Sequence, residues 1–162
     1  FLARFDNMQA QLIISTFSIG ELFGELIEEQ ALIDPDHNYE VSLVSTNDSL
    51  TADRTMIKQL LRALIDNSVK YTQNGGNIRL TFELDGENAV LSVSDNGIGM
   101  DTEHCEHIFE RFYRVDPART RATGGMGLGL SIVSVIAQAH CGYVTAESKP
   151  GFGTTVTVIF PN

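Results

Sequence analysis

From Asp95 to Gly125 the chain is polar, with too little apolar periodicity to form core, and a glycine cluster stands at each end. Asp95-Asn96-Gly97-Ile98-Gly99 closes an apolar alternating run, and Gly124-Gly125-Met126-Gly127-Leu128-Gly129-Leu130 opens a helical one. Long segments without regular structure are uncommon in compact domains, and those that occur are often functional. The core must therefore come from the flanking residues. With 162 residues, 43% of them apolar, the chain suits one domain that buries roughly 70% of its unfolded surface without a disulfide or metal staple.

The flanks supply that core in a recognisable order. Leu22, Phe23, Leu26, Ile27 and Leu32 fall near a 3.6-residue period and predict a helix from Gly20 to Leu32, which Asp34-Pro35-Asp36 stops. Tyr39 to Val44 leans towards strand. Thr51 opens a second helix with a stripe of Ile57, Leu60, Leu61, Leu64, Ile65 and Val69, ended by Asn74-Gly75-Gly76. Residues 78–84 and 89–94 alternate like strands across Asp85-Gly86, a hairpin signal. One helix-like piece around Cys105–Phe112 interrupts the polar stretch. A third helix carries Leu128, Leu130, Ile132, Val133, Ile136 and Ala137, and strands at 142–147 and 154–160 close the chain. This order predicts a two-layer α/β (α+β) sandwich, one mixed sheet covered on one face by about three helices. Residues 1–14 read as the tail of a helix with no core of its own, and the start at Phe1 reads as an excision point.

Charge narrows the function. Eleven Lys and Arg against 21 Asp and Glu give a net charge of −10, which excludes a general nucleic-acid binder needing a dominant basic face. No apolar run approaches the ~20 residues of a membrane span, and no signal segment is present. Cys105 and Cys141 are too few for a disulfide framework and suit a reducing compartment.

Glycines at a helix mouth let backbone N–H groups approach an anion, where the helix dipole adds about half a positive charge. The pattern is neither a Rossmann fingerprint, because the glycines open the helix after the long polar stretch, nor a P-loop, because no Gly-Lys-Ser/Thr follows. On the second helix Ala63, Asn67, Lys70 and Tyr71 share a stripe beside the apolar one. Asn offers a hard carbonyl oxygen suited to Mg²⁺, Lys a point charge for phosphate, and Tyr a ring that stacks on a base. Each feature alone also fits a blander origin: turns and close packing for the glycines, a polar helix margin for the stripe.

Taken together, the motifs resemble the catalytic ATP-binding domain of bacterial sensor histidine kinases, of the Bergerat fold. Residues 64–72 (Leu-Ile-Asp-Asn-Ser-Val-Lys-Tyr-Thr) resemble its asparagine box, Asp95–Gly99 its first glycine box, and Ile108–Arg114 its phenylalanine box. Gly125–Leu130 resembles the second glycine box, and Gly151-Phe-Gly-Thr154 the closing segment. The resemblance spans residues 15–162, with 1–14 as the tail of the preceding dimerisation helix.

The resemblance implies roles. Asn67 would hold Mg²⁺ on the ATP phosphates, Lys70 would contact phosphate, and Tyr71 would flank the adenine or ribose. Asp95 would accept from the adenine amine, selecting against guanine, whose carbonyl a carboxylate repels. Gly97 and Gly99 would clear space for the base, with Ile98 between them. Residues 100–125 would form the lid, with Arg114, Arg119 and Arg121 supplying charge to the leaving γ-phosphate. The backbone of Gly125, Gly127, Leu128 and Gly129 would cradle phosphate, and Thr154 would order water near Asp95. Asn67, Lys70 and Arg114 would form the catalytic group.

The chain departs from the pattern at Ala63, where many members carry a first Asn and the gyrase- and chaperone-type hydrolases carry a catalytic Glu. Ser68 and Cys141 are small replacements. His37, His104, His107 and His140 lack the context of a phosphoacceptor histidine, which the resemblance puts on the dimerisation domain. His104-Cys105-x-His107 makes a poor metal cage on a lid and reads as solvated. The implied partners are that dimerisation domain and a response regulator, with no nucleic acid and no membrane contact by this chain. The implied setting is the cytoplasmic part of a membrane-anchored, homodimeric parent, the chain alone being monomeric. Two rival readings are a serine kinase of the anti-sigma type, against which residues 109–114 argue, and a nucleotide-sensing module without transfer.

Overall fold

The computed structural model describes residues 12–115 and 129–162. In chain order the elements are β1 (Ile14–Ser18), α1 (Ile19–Ile33), β2 (Asn38–Leu43), β3 (Ser49–Asp53), α2 (Arg54–Tyr71), β4 (Asn77–Asp85), β5 (Asn88–Asp95), α3 (Gly129–Ala139), β6 (Tyr143–Lys149) and β7 (Gly153–Pro161). Five strands form one mixed sheet in the order β2-β4-β5-β7-β6, parallel only between β2 and β4. The predicted hairpin is present, with Asp85 opposite Asn88 and Gly86 at φ +59°.

Register explains the core. Leu80, Val93 and Val156 lie in one row across the sheet, and Phe82, Leu91 and Val158 in the next. These rows face the helices, because strand side chains alternate between faces. Against them pack Leu22, Phe23 and Leu26 of α1, Ile57, Leu60, Leu61 and Leu64 of α2, and Val133 and Ile136 of α3. Leu60 is fully buried, and truncating such a residue to Ala costs about 2–5 kcal/mol. The opposite face of β4 carries Arg79, Thr81 and Glu83, which are exposed or half-buried. Glu25 and Glu29 of α1 pair with Arg54, Lys58 and Arg62 of α2, a ladder that sets the helices in register. Hydrogen bonds from Lys58, with Arg54 or Arg62 beside it, hold both carboxylates below their ordinary range, against a smaller upward push from desolvation.

Three expectations need correction. The second helix does not begin at Thr51: residues 49–53 are a strand, paired antiparallel with β1, and Ile14 stands opposite Asp53 in that ribbon. The pairing is short and one side of it is exposed Ser and Thr, which leaves no alternation long enough to read. The helix starts at Arg54 because the Asp53 carboxylate accepts from Met56 N–H at 3.1 Å, an N-cap. The piece around Cys105–Phe112 is not a helix. It is a 3₁₀ turn (Thr102–His104) followed by successive turns, and Phe112 at φ +65° cannot continue a right-handed helix. Nor is it wholly solvated, since Cys105 and Ile108 are each only 6% exposed.

Expectations for residues 1–11 and 116–128, among them Arg119, Arg121, Gly125, Gly127 and Leu128, lie outside the described residues. Among the described residues no helix is long and apolar enough to cross a membrane.

Candidate functional site

The polar margin of α2 opens onto a cavity of about 610 Å³. Ala63, Asn67, Lys70 and Tyr71 all line it, as their helical spacing requires. Across from them β5 delivers Asp95 at its end, the following loop contributes Ile98 and Gly99, and β7 contributes Thr154. Arg114 reaches the cavity from the turn segment, and α3 starts on its wall at Gly129. The N-terminus of α3 thus faces the cavity and adds partial positive charge. Nine of the expected residues, from Asn67 to Thr154 in sequence, therefore meet in one place. Gly97 does not line this cavity. It lies behind the wall in a smaller recess of about 430 Å³ with Thr72, Gly76 and Asn96.

The glycines have backbone reasons of their own. A Cβ on Gly97 would sit 2.2 Å from the Tyr71 carbonyl oxygen, so only glycine lets the end of β5 approach the end of α2. Ile98 N–H donates to that same carbonyl at 3.0 Å. Gly99 has φ +64°, and a Cβ there would sit 2.1 Å from the Lys149 carbonyl oxygen. Ile98 and Gly99 are thereby pinned between α2 and the β6–β7 turn, where Gly151 N–H donates to the Ile98 carbonyl at 2.7 Å.

Asp95 is half-buried and oriented by backbone. Its Oδ1 accepts from Gly97 N–H at 2.9 Å and from Thr154 N–H at 3.3 Å. Among the described residues no donor reaches Oδ2. Ser148, which the sequence reading missed, organises the next layer: its hydroxyl donates to the Gly153 carbonyl at 2.9 Å and accepts from Met100 N–H at 2.9 Å. Its only proton is then committed, so in the 2.8 Å contact with Thr154 the threonine hydroxyl is the donor. Only the position of Ser148 opposite Thr154 in the β6–β7 register identifies it, and pairing is not visible in sequence.

Arg62, Asp66 and Lys70, which also line the cavity, follow one another at one-turn spacing along α2. Desolvation pushes the Asp66 carboxyl up, outweighing the pull of Lys70 and Arg62. Asn67 is half-buried, and no hydrogen bond among the described residues engages its amide. Its oxygen is a hard donor free to meet a small divalent cation, so the residues present fit Mg²⁺ with one protein ligand. Ala63 puts no carboxylate on its stretch of wall. The cavity thus brings together an oriented acceptor, cationic side chains and the first residues of a helix, groups suited to an anion that also carries a hydrogen-bond donor.

Known proteins place the chain in a family. The model of the family described as "Histidine kinase-, DNA gyrase B-, and HSP90-like ATPase" matches residues 52–162. Sensor histidine kinase YkoH of Bacillus subtilis (strain 168) is 50% identical over 109 residues, 67% of this chain and 24% of that protein. The structure of full-length ShkA in complex with AMPPNP is similar at TM-score 0.84 and 28% identity, over 98% of this chain and 33% of that one. Histidine kinase ThkA in complex with response regulator protein TrrA is similar at TM-score 0.73 and 26% identity, over 91% of this chain and 41% of that one. The match amounts to 24% to 39% of the length of the sensor histidine kinases it resembles. With its sheet, its cavity and these likenesses, the chain belongs to the histidine kinase-, DNA gyrase B- and HSP90-like ATPase family, in its sensor histidine kinase group.

Proposed function

We propose that this chain binds Mg·ATP and transfers its γ-phosphoryl group to a histidine on a dimerisation domain of the same protein, for relay to a response regulator. The observation that carries the reading is Asp95, whose orienting backbone donors leave one carboxylate oxygen for the adenine amine in a cavity that Lys70 and Arg114 also line. Tyr71 and Ile98 flank the base, with Gly97 and Gly99 setting the loop. Lys70 and Arg114 draw the phosphates, and the start of α3 at Gly129, with Gly125, Gly127 and Leu128 before it, cradles them. Asn67 would hold Mg²⁺, which when bound would offset the phosphate charge. The Thr154 hydroxyl, donating to Ser148, keeps its lone pairs for water beside Asp95. ShkA's complex with AMPPNP supports the nucleotide, and ThkA's complex with TrrA supports the response regulator.

Transfer needs little covalent help from the protein, because an imidazole is a competent nucleophile near neutral pH and catalysis is then positioning and charge. Ala63 leaves water without a base at the place where the hydrolytic relatives hold one. The four histidines of this chain are poor acceptors. Both ring nitrogens of His37 and His140 are bonded in buried sites. His104 meets the Tyr113 hydroxyl at 2.5 Å, and His107 meets Glu110 at 2.8 Å. The reading assigns the chain from Ile14, which opens β1, to the catalytic domain, one residue earlier than the expected start at 15, and residues 1–13 to the linker and helix tail. It assigns a cytoplasmic setting, and a monomeric state to the chain alone within a homodimeric parent.

The test is incubation with γ-labelled ATP, with and without a dimerisation domain supplied in trans. Expected are negligible phosphate release, no stable label on this chain, and slow labelling of the supplied histidine, since tethering no longer provides effective concentration. Stable label on this chain, or a serine-linked label on an added protein, overturns the assignment. Binding without transfer to any supplied domain points to the sensing module.

A further inference from the structure

The C-terminal end of α2, which carries Lys70 and Tyr71, is fastened from outside the nucleotide cavity by His37. This histidine lies in the short link between α1 and β2 and is 8% exposed. Its Nδ1 is 2.6 Å from Asp34 Oδ2, and its Nε2 is 2.9 Å from the carbonyl oxygen of Thr72, the residue that ends α2. A backbone carbonyl can only accept, so Nε2 carries a proton. Asp34 Oδ2 already accepts from the Tyr39 hydroxyl at 2.5 Å and, as a carboxylate, can only accept again, so Nδ1 carries one too. The geometry therefore requires an imidazolium.

We propose that His37, as this imidazolium, is a positioning residue for the nucleotide site. It holds the Thr72 carbonyl and with it the backbone that presents Tyr71, Ile98 and Gly97, so that nucleotide affinity falls when His37 loses its proton. The proposal rests on the nucleotide reading above. A neutral ring keeps only one of its two bonds. Either Nδ1 presents a lone pair to a carboxylate, or Nε2 presents one to a carbonyl, and both are repulsive. The Thr72 carbonyl is one residue from the Tyr71 carbonyl that accepts Ile98 N–H, so release at Thr72 loosens the cavity wall where the base packs. The same link is stitched at two further points: Gly75 N–H donates to the Asp36 carbonyl at 2.7 Å, and Asn38 N–H donates to the Gly76 carbonyl at 2.9 Å.

The charged and titratable groups around His37 favour the protonated ring. From the α1 end comes Asp34, from the link Asp36, from β2 Tyr39, and from α2 Asp66, which acts on Tyr39. Burial alone would push His37 down, but the Thr72 carbonyl and Asp34 outweigh it, and the net direction is upward. Burial also pushes Asp34 up, yet the Tyr39 hydroxyl and His37 outweigh it and the carboxyl lies below its ordinary value.

The test uses the wild-type chain. His37 ring signals are followed by NMR from pH 5.5 to 9, free and saturated with ADP, with ADP affinity measured by calorimetry over the same range. Because coupling is reciprocal, a ring whose proton favours nucleotide must have its own midpoint raised by nucleotide. The expected result is a charged ring at pH 6, a midpoint that rises with ADP, and an affinity loss of about fivefold through that midpoint. In His37→Gln, whose amide can hold Thr72 but does not titrate, the same pH range should give a flatter profile than wild type. Binding of ADP with an unmoved midpoint, or a ring already neutral at pH 6, overturns the role of His37 alone. Failure of ADP to bind at any pH overturns the nucleotide reading with it.

Discussion

Gly97 N–H donates to Asp95 Oδ1 at 2.9 Å, two residues along the same turn, and Thr154 N–H donates to the same oxygen from the neighbouring strand. An amide in place of the carboxylate would turn its carbonyl towards these two donors and its NH₂ into the cavity. Asp95→Asn therefore keeps the fold but sets a donor against the adenine amine. A lost buried bond of this kind costs about 1–3 kcal/mol, or roughly tenfold to hundredfold in affinity. Calorimetry with ATP should show that loss alongside an unchanged melting temperature; equal affinity would remove Asp95 from the adenine contact.

Gly153→Ala should behave differently. Its φ of +96° and the 1.9 Å approach of a Cβ to the Asp95 carbonyl oxygen mean that any side chain displaces Asp95. The substitution should cost at least about 2 kcal/mol of stability and weaken nucleotide binding with it. A stable variant that binds normally would show that Asp95 tolerates displacement.

Asn67→Ala removes an amide that no described hydrogen bond uses, on a helix where Ala is the better former. Stability should change by less than about 0.5 kcal/mol, while the Mg²⁺-dependent part of ATP affinity is lost. Titrations with and without Mg²⁺, compared with the melting curve, separate the two effects. Early melting with normal Mg·ATP binding would make Asn67 structural.

Cys141 sits at φ +60° just after α3, where Gly142 N–H bonds back to the Ala137 carbonyl at 2.8 Å. This is the left-handed cap position that glycine occupies at least cost. Cys141→Gly should stabilise the chain by about 0.5–1 kcal/mol, raising the melting temperature by roughly 2–4 °C per kcal/mol. An unchanged or lower value would mean that the thiol has a packing role.

The pair His37 and Asp34 sets a pH signature for stability. A histidine raised in the folded state contributes fully below its unfolded value and loses that contribution as pH climbs through the folded one. A lowered aspartate contributes above its unfolded value and loses it as pH falls through the folded one. The pair therefore stabilises most on the plateau between the ordinary Asp value and the ordinary His value, and the histidine's share is lost as pH climbs from there through its raised folded value. Denaturant melts of wild type and His37→Gln should converge as pH rises above neutrality; a constant difference would deny the linkage.

The three helices, the hairpin and the closing strands were legible because each carries an apolar period long enough to fix a face. The stripe of Asn67, Lys70 and Tyr71 was legible for the same reason, since helical spacing alone places it beside the Leu60–Leu64 core. What stayed hidden depends on pairing. β1 and β3 are short and pair with each other, with β3 further tied to Asn162 and His140 far along the chain. Ser148 enters the site only through the β6–β7 register, and His37 meets Thr72 because β2 lies parallel to β4. Gly97 and Gly99 read in the sequence as room for a base, whereas in the fold it is the Tyr71 and Lys149 carbonyls that a Cβ there would strike, contacts no sequence spells out.

The Asp53 carboxylate has two partners: Oδ1 caps α2 through Met56 N–H, and Oδ2 accepts from Ile13 N–H at 2.9 Å, just ahead of β1. Because Ile14 pairs with Asp53 at the open end of the ribbon, tension on the chain ahead of Ile13 peels β1 from β3 one bond at a time rather than shearing it. The first bond in the line of force is the one to Asp53. A displacement of the chain at Ile13 is thus passed through one carboxylate to the first turn of the helix bearing Asn67.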